Sequence, residues 1–255
     1  MSMSSIHHQE LGNGHPLVLI HGFCETHEIW EEVATELAKD FKVYVPDLPG
    51  FGKSPLPNPP FTIDDIGSLM ADWLRDLNLK RAVVIGHSLG GYVALAMAVK
   101  DQGRIAGLGL FHSTAAADSE EKKANRNKTA EFVRANGVAP FVEVFVQGLF
   151  YQKDNHYLNQ VMNMARRTRQ DALLAYTYAM RDRPSREDWL KTFGNKFLIV
   201  AGEYDSIIPV SLLREQAREI PKAEFKLLEN SGHMGMYESH VKTMETIKRF
   251  ALTCV

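Results

Sequence analysis

Short apolar runs alternate with longer helical patterns along this chain, which predicts an α/β fold with a mostly parallel sheet. Strands are expected at 6–10, 17–20, 42–46, 81–87, 105–111, 196–201 and 224–228, and helices at about 28–39, 62–78, 89–100, 210–219 and 238–252. Thr62, with Asp64 and Asp65 after it, supplies a helix start with acidic residues in the first turn. Gly12-Asn13-Gly14 reads as a turn between the first two strands, which are expected to run antiparallel. Pro55, Pro57, Pro59 and Pro60 mark an irregular surface loop. The alternation breaks at 118–183, where helical patterns rich in aromatics and charge appear without a strand. This interval predicts a helical cap (lid) inserted between strands of a core formed by 1–117 and 184–255.

The run Gly86-His87-Ser88-Leu89-Gly90-Gly91 lies where the strand Arg81-Ala82-Val83-Val84-Ile85 stops and the helix former Tyr92-Val93-Ala94-Leu95-Ala96-Met97-Ala98 begins. It is a G-x-S-x-G turn in the strand–turn–helix setting that a nucleophile elbow requires. Glycines at 86 and 90 allow close packing of strand against helix. The turn presents the Ser88 hydroxyl at a helix N-terminus, where backbone N–H groups can receive developing negative charge. A serine that merely caps the helix is the competing reading.

A hydroxyl is a poor nucleophile at neutral pH and needs a base, an orienting carboxylate and oxyanion donors. Of ten histidines, His233 in Asn230-Ser231-Gly232-His233-Met234-Gly235 follows the strand at 224–228, from which it can reach the carboxyl edge of the sheet. Asp205 in Gly202-Glu203-Tyr204-Asp205 follows the strand at 196–201, with Glu203 and Asp118 as competitors and a simple turn aspartate as the plainer reading. The order Ser88, Asp205, His233 is the one expected after this kind of elbow. Oxyanion donors are expected from the backbone N–H groups of Phe23 and Leu89.

Composition bounds the rest. The chain has 255 residues, 45% hydrophobic and 24% charged, with a formal net charge of −2, which gives no reason to expect nucleic acid or an anionic membrane as partner. No apolar run approaches a membrane span, and Met1 to Gly14 is polar, without the pattern of a secretory signal. Cys24 and Cys254 match no metal spacing, so no metal is expected and a reduced, cytoplasmic protein is the simplest expectation. Cys24 reads as a small packing residue rather than a redox switch.

Along essentially the whole chain these pieces resemble the α/β-hydrolase superfamily, in its capped serine hydrolase or carboxylesterase form. The matching residues are Leu17-Val18-Leu19-Ile20-His21-Gly22-Phe23, Pro46-Asp47-Leu48-Pro49-Gly50-Phe51-Gly52-Lys53-Ser54, the Ser88 turn, the Gly-x-x-Asp ending at Asp205, and Gly232-His233. The resemblance implies an eight-stranded sheet with a cap between the sixth and seventh strands, and a buttressing rather than catalytic Asp47. Dehalogenases and epoxide hydrolases of the superfamily carry aspartate where this chain has Ser88, so acyl transfer to water is favoured. The expected activity is hydrolysis of a small carboxylic ester, or a thioester or amide, with no cofactor. A C–C bond hydrolase or lyase using the same triad, and a non-catalytic ligand-binding protein on this fold, are the alternatives. His112, Ser113, Phe141 and Phe145 are candidate substrate contacts. The interval 119–183 holds eleven Lys/Arg against seven Asp/Glu, so Arg166, Arg167, Arg169, Arg181 and Arg183 either meet an anionic substrate or sit on solvated helix faces.

Overall fold

The computed structural model describes residues 6–255. Seven strands build one sheet: β1 (His8–Leu11), β2 (Pro16–Ile20), β3 (Lys42–Pro46), β4 (Ala82–His87), β5 (Ile105–Phe111), β6 (Lys196–Gly202) and β7 (Ala223–Leu228). Their spatial order is β1-β3-β2-β4-β5-β6-β7, parallel throughout except where β1 pairs antiparallel with β3. Strands β4 and β5 are buried along their whole length, which requires helices on both faces and explains their unbroken apolar runs.

The helices are α1 (Glu31–Leu37), α2 (Ile63–Asp76), α3 (Leu89–Lys100), α4 (Glu120–Asn136), α5 (Val138–Leu149), α6 (Leu158–Ala165), α7 (Gln170–Arg181), α8 (Glu187–Lys191), α9 (Val210–Glu219), α10 (Gly235–Glu238) and α11 (His240–Thr253). At the start of α2, Thr62 Oγ1 accepts the Asp65 N–H at 3.1 Å while the Asp65 carboxylate accepts the Thr62 N–H at 2.8 Å. This capping box satisfies two backbone donors that the helix itself cannot. Helix α3 is buried on every side from Leu89 to Ala98, as its uniformly apolar and small residues demand. The expected helix at 28–39 divides into a 3-10 turn, His27–Trp30, followed by α1.

Three expectations change. Among the described residues the sheet has seven strands rather than eight, and β1 with its exposed Gln9 and Glu10 closes one edge. Polar and charged side chains on so short a strand discourage further pairing there. The helical interval therefore falls between β5 and β6 rather than between a sixth and a seventh strand. Finally, β1 and β2 run in opposite directions around Gly12–Gly14 but are not neighbours. The chain returns through β3, which pairs with both.

Because β2 leads outward to β3 on one side while β4 leads to β5 on the other, a crevice opens at the carboxyl ends of β2 and β4. The loops after β2, β4, β5, β6 and β7 all emerge at that edge.

Candidate active site

The elbow after β4 is strained. Ser88 has φ 50° and ψ −117°, a backbone region costly for a residue with a Cβ, and its side chain is half-buried. The turn exists because β4 and α3 touch: a Cβ on Gly86 would collide with the Gly90 carbonyl, and one on Gly90 would enter the backbone of Ile20 and His21. Ser88 is further held by its own N–H on the Phe111 carbonyl at 3.0 Å and by Ser113 Oγ, which donates to the Ser88 carbonyl at 2.7 Å.

Asp205, in the turn after β6, accepts the N–H groups of Ile207 and Ile208 on Oδ1 at 2.9 and 3.0 Å. Its Oδ2 accepts His233 Nδ1 at 2.8 Å. Burial pushes this carboxyl up, but the pull of His233 and the imidazole hydrogen bonds outweigh it and hold the group well below the ordinary carboxylate range. His233 is 2% exposed and lies in the loop after β7. Among the described residues no hydrogen bond joins Ser88 Oγ to His233. The two loops are tied instead through His87, whose Nε2 donates to the His233 carbonyl at 3.0 Å.

Of the competitors for the carboxylate, Asp118 is consumed by Arg183 at 2.8 Å and Arg126 at 3.0 Å, and Glu203 accepts the Asn230 N–H at 3.0 Å. Asp47 is a buttress in geometry. It accepts His27 N–H and His27 Nδ1 on one oxygen, and Lys53 N–H and His7 Nδ1 on the other. Two clusters, His7 with His27 and Asp47, and His112 with His233 and Asp205, bring ring nitrogens and a carboxylate within reach of one shared ion. In each, backbone N–H donors as well as the imidazoles already occupy the carboxylate, so hydrogen bonding accounts for the clustering.

On the β2 side, Phe23 and Leu89 present their N–H groups without a protein acceptor among the described residues. Leu89 is the first residue of α3, where an N–H has no partner within the helix. The loop carrying Phe23 is built by buried polar side chains. His21 Nδ1 donates to the Gly22 carbonyl at 2.8 Å, and its Nε2 accepts the Leu48 N–H at 2.8 Å.

Sequence reading overlooked Glu25. Its carboxylate is 2% exposed and accepts the Gly22 N–H at 2.5 Å and His87 Nδ1 at 2.9 Å. With both ring nitrogens of His87 facing acceptors, the ring must carry both protons, so Glu25 and His87 form a buried ion pair. Burial opposes both charges, yet their mutual attraction prevails, raising His87 and lowering Glu25. The available signal was a carboxylate three residues after Gly22 in the oxyanion loop, and a histidine at the variable position of the serine turn.

The four proposed substrate contacts divide into two pairs. His112 and Ser113 are 0% exposed, and their polar atoms bond to Asp205 and the Ser88 carbonyl. They stand behind the site rather than facing the inserted helices. Phe141 and Phe145 of α5 stack on each other at 5.3 Å and meet the Phe23 ring edgewise at 6.4 and 5.9 Å. The five arginines weighed as anion contacts are each paired with a carboxylate: Arg166 with Glu143, Arg167 with Glu28, Arg169 with Asp171, Arg181 with Asp182 and Arg183 with Asp118. Those pairings favour the structural reading over anion recognition.

A family model for the alpha/beta hydrolase fold matches residues 15–239. The chain belongs to the alpha/beta hydrolase family. Within it, a thermophilic esterase from Thermogutta terrifontis shares 30% identity and superposes with a TM-score of 0.93, covering 98% of this chain and 93% of that one. A pimeloyl-[acyl-carrier protein] methyl ester esterase from Vibrio parahaemolyticus is 25% identical over 257 residues, 97% of this chain and 98% of that protein. An enol-lactonase from Burkholderia xenovorans LB400, at 22% identity and a TM-score of 0.89 over 97% and 96% of the two chains, shows the same alpha/beta hydrolase fold. No helix among the described residues is long and apolar enough to cross a membrane.

Proposed function

We propose that this alpha/beta hydrolase cleaves small carboxylic esters through an acyl-enzyme on Ser88. The observation that carries the reading is a serine held at φ 50° on the strand–helix turn, next to His87, which is bonded to the carbonyl of the same His233 whose ring meets Asp205 at 2.8 Å. In this reading His233 Nε2 accepts the Ser88 proton as Oγ attacks the ester carbonyl. Asp205 keeps the other proton on Nδ1 and stabilises the imidazolium. The N–H groups of Phe23 and Leu89 receive the tetrahedral oxyanion, and His233 returns its proton to the leaving alcohol. Water activated by the same imidazole then releases the acid.

The insertion at 118–183 serves as the lid in this scheme, and the Phe141–Phe145 stack forms the apolar wall nearest the oxyanion loop. His112 and Ser113 support the triad instead of contacting substrate. Similarity to a solved esterase and to a methyl ester esterase supports the ester class over the other chemistries of the fold.

The test is hydrolysis of short p-nitrophenyl esters, with fluorophosphonate labelling located by mass spectrometry. Wild type is expected to turn over the esters and to take the label on Ser88. Ser88→Ala is expected to lose at least about a thousandfold in kcat. Undiminished turnover by Ser88→Ala would remove the serine mechanism. A preference for C–C substrates with near-zero ester turnover would replace the substrate class while keeping the triad.

A further inference from the structure

Asp205 holds one more imidazole than a Ser-His-Asp triad uses. Its Oδ2 accepts His112 Nδ1 at 3.1 Å beside His233 Nδ1 at 2.8 Å, while Oδ1 carries two backbone N–H groups. Each carboxylate oxygen therefore has two donors, and the group cannot rotate without breaking several of them.

The second imidazole is installed at a cost. His112 follows β5 at φ 49°, in the left-handed region that non-glycine residues avoid. Its side chain is wholly buried and its Nε2 has no hydrogen-bond partner among the described residues. A buried polar atom left unpaired is unfavourable, and a phenyl ring in the same slot would not have one. The slot depends on two glycines: a Cβ on Gly235 would run into Nε2, and one on Gly202 would lie 2.9 Å from Cε1. What the imidazole supplies in return is a single directed N–H on Asp205.

Its protonation state follows from its surroundings. An ionised carboxylate only accepts, so the proton must be on Nδ1. Burial, outweighing the attraction of Asp205, pushes His112 down to about 4, which leaves the ring uncharged at neutral pH.

We propose that His112 is a positioning residue of the triad, a neutral imidazole that locks the Asp205 carboxylate and shares its Oδ2 with His233. The inference rests on the assignment of Ser88, Asp205 and His233 to catalysis. A second donor on Oδ2 draws charge from the oxygen that faces His233, so the imidazolium formed during attack is held less tightly than by an unshared carboxylate. Losing that donor makes Asp205 the stronger acceptor and moves protonation of His233 to higher pH. The other polar groups around His233 stay in place: His87 from β4 with its ring 4.9 Å away, Glu25 behind it, and Glu238 of α10, which accepts the Gly232 N–H.

The experiment compares His112→Phe and His112→Asn in the full chain. Phenylalanine keeps a ring without the donor, and asparagine can place a side-chain N–H where Nδ1 stood. One readout is the pH profile of kcat/KM on p-nitrophenyl acetate. The other is the titration of the His233 ring by 15N NMR in a Ser88→Ala background, which needs no turnover. His112→Phe is expected to raise the acid midpoint by about half a pH unit or more and to lower kcat several-fold with little change in KM. His112→Asn is expected to return the midpoint to the wild-type position. An unmoved midpoint in His112→Phe, or no rescue by asparagine, overturns the proposal.

Spectra of the protein with His112 intact keep the idea falsifiable even if the phenylalanine variant does not fold. There the His112 ring must be the Nδ1–H tautomer and must not titrate above about pH 5.5; an Nε2–H tautomer overturns the proposal. Full turnover by Ser88→Ala would refute the catalytic reading while leaving the NMR coupling readable. An inactive Ser88→Ala with an unmoved His233 titration would refute only the role of His112.

Discussion

His233 donates its backbone N–H to the carbonyl oxygen of Leu149 at 2.8 Å, so the loop carrying the imidazole is bonded to the last residue of α5. The Glu238 carboxylate doubles the connection. One oxygen accepts the Gly232 N–H at 2.7 Å, and the other accepts Tyr151 N–H at 2.7 Å and Gln152 N–H at 2.9 Å. The end of α5 and the His233 loop are therefore joined by four hydrogen bonds at this end.

Glu238→Ala removes an acceptor shared by three backbone donors. A drop in kcat of about tenfold is expected on p-nitrophenyl esters, with a stability loss of about 1–3 kcal/mol because the freed N–H groups are only partly reached by water. Steady-state kinetics beside urea unfolding checks both, and an unchanged kcat would show that the two loops keep their registry without the carboxylate.

The pair Glu25–His87 gives a signed pH dependence of stability. Glu25 is lowered, so its contribution is full above its ordinary value of 4.5 and fades as pH falls through the folded value. His87 is raised, so its contribution is full below its ordinary 6.5 and fades as pH rises through the folded value. Both are complete between about 4.5 and 6.5, where Glu25→Gln should cost the most, about 3–5 kcal/mol for leaving a buried cation unpaired. Urea unfolding of the two proteins across pH measures this, and a gap independent of pH would argue against the ion pair.

His112 works in the opposite sense on the acid side. Its folded value of about 4 lies below the ordinary 6.5, so as pH falls through that interval the unfolded chain takes up a proton that the native protein refuses. Wild type is expected to lose up to about 3 kcal/mol between those limits that His112→Asn keeps. His21 is also lowered by burial but is present in both proteins and cancels in the difference. Parallel stability curves for the two proteins would show that His112 is charged in the native state.

Arg183 and Asp118 close the base of the insertion. The Arg183 guanidinium donates to Asp118 at 2.8 Å, to the Met180 carbonyl at 2.7 Å and to the Ala116 carbonyl at 2.9 Å, and it lies over the Tyr92 ring at 3.9 Å. Asp118→Ala strands a buried guanidinium and is expected to cost about 3–5 kcal/mol. Chemical denaturation gives the loss directly, and a loss below about 1 kcal/mol would class the pair with exposed ion pairs.

Phe145→Ala opens the wall beside Phe23. The expected effect is a rise of about tenfold in KM for butyrate over acetate esters, the worth of a buried apolar contact. Chain-length profiles of the two enzymes decide it, and equal profiles would place the acyl group elsewhere.

Much of this protein was legible in the order of its residues. Strands β2 to β7 and helices α3 and α9 are local events. The continuous apolar runs of β2, β4, β5 and β6 read as buried strands, and the small apolar residues after Ser88 as a buried helix. The Ser88 turn was readable because Gly86 and Gly90 betray the contact of β4 with α3. Chain order also placed Asp205 and His233 each just beyond a strand, which puts them at the same edge of any parallel sheet.

What the tertiary structure alone decided are contacts between residues far apart in sequence, because a partner is chosen by packing and no local pattern records it. The placement of β3 between β1 and β2 depends on which edges remain free once β2 and β4 are joined. Only the assembled loops show that Asp118 is spent on Arg183, that Glu25 reaches His87, and that Glu238 ties the His233 loop to the residues just after α5. The same holds for His112. In sequence it is a polar residue at a strand end that either touches substrate or merely satisfies its loop. In the fold, the glycines at 202 and 235 leave a dry slot that turns its one N–H onto Asp205.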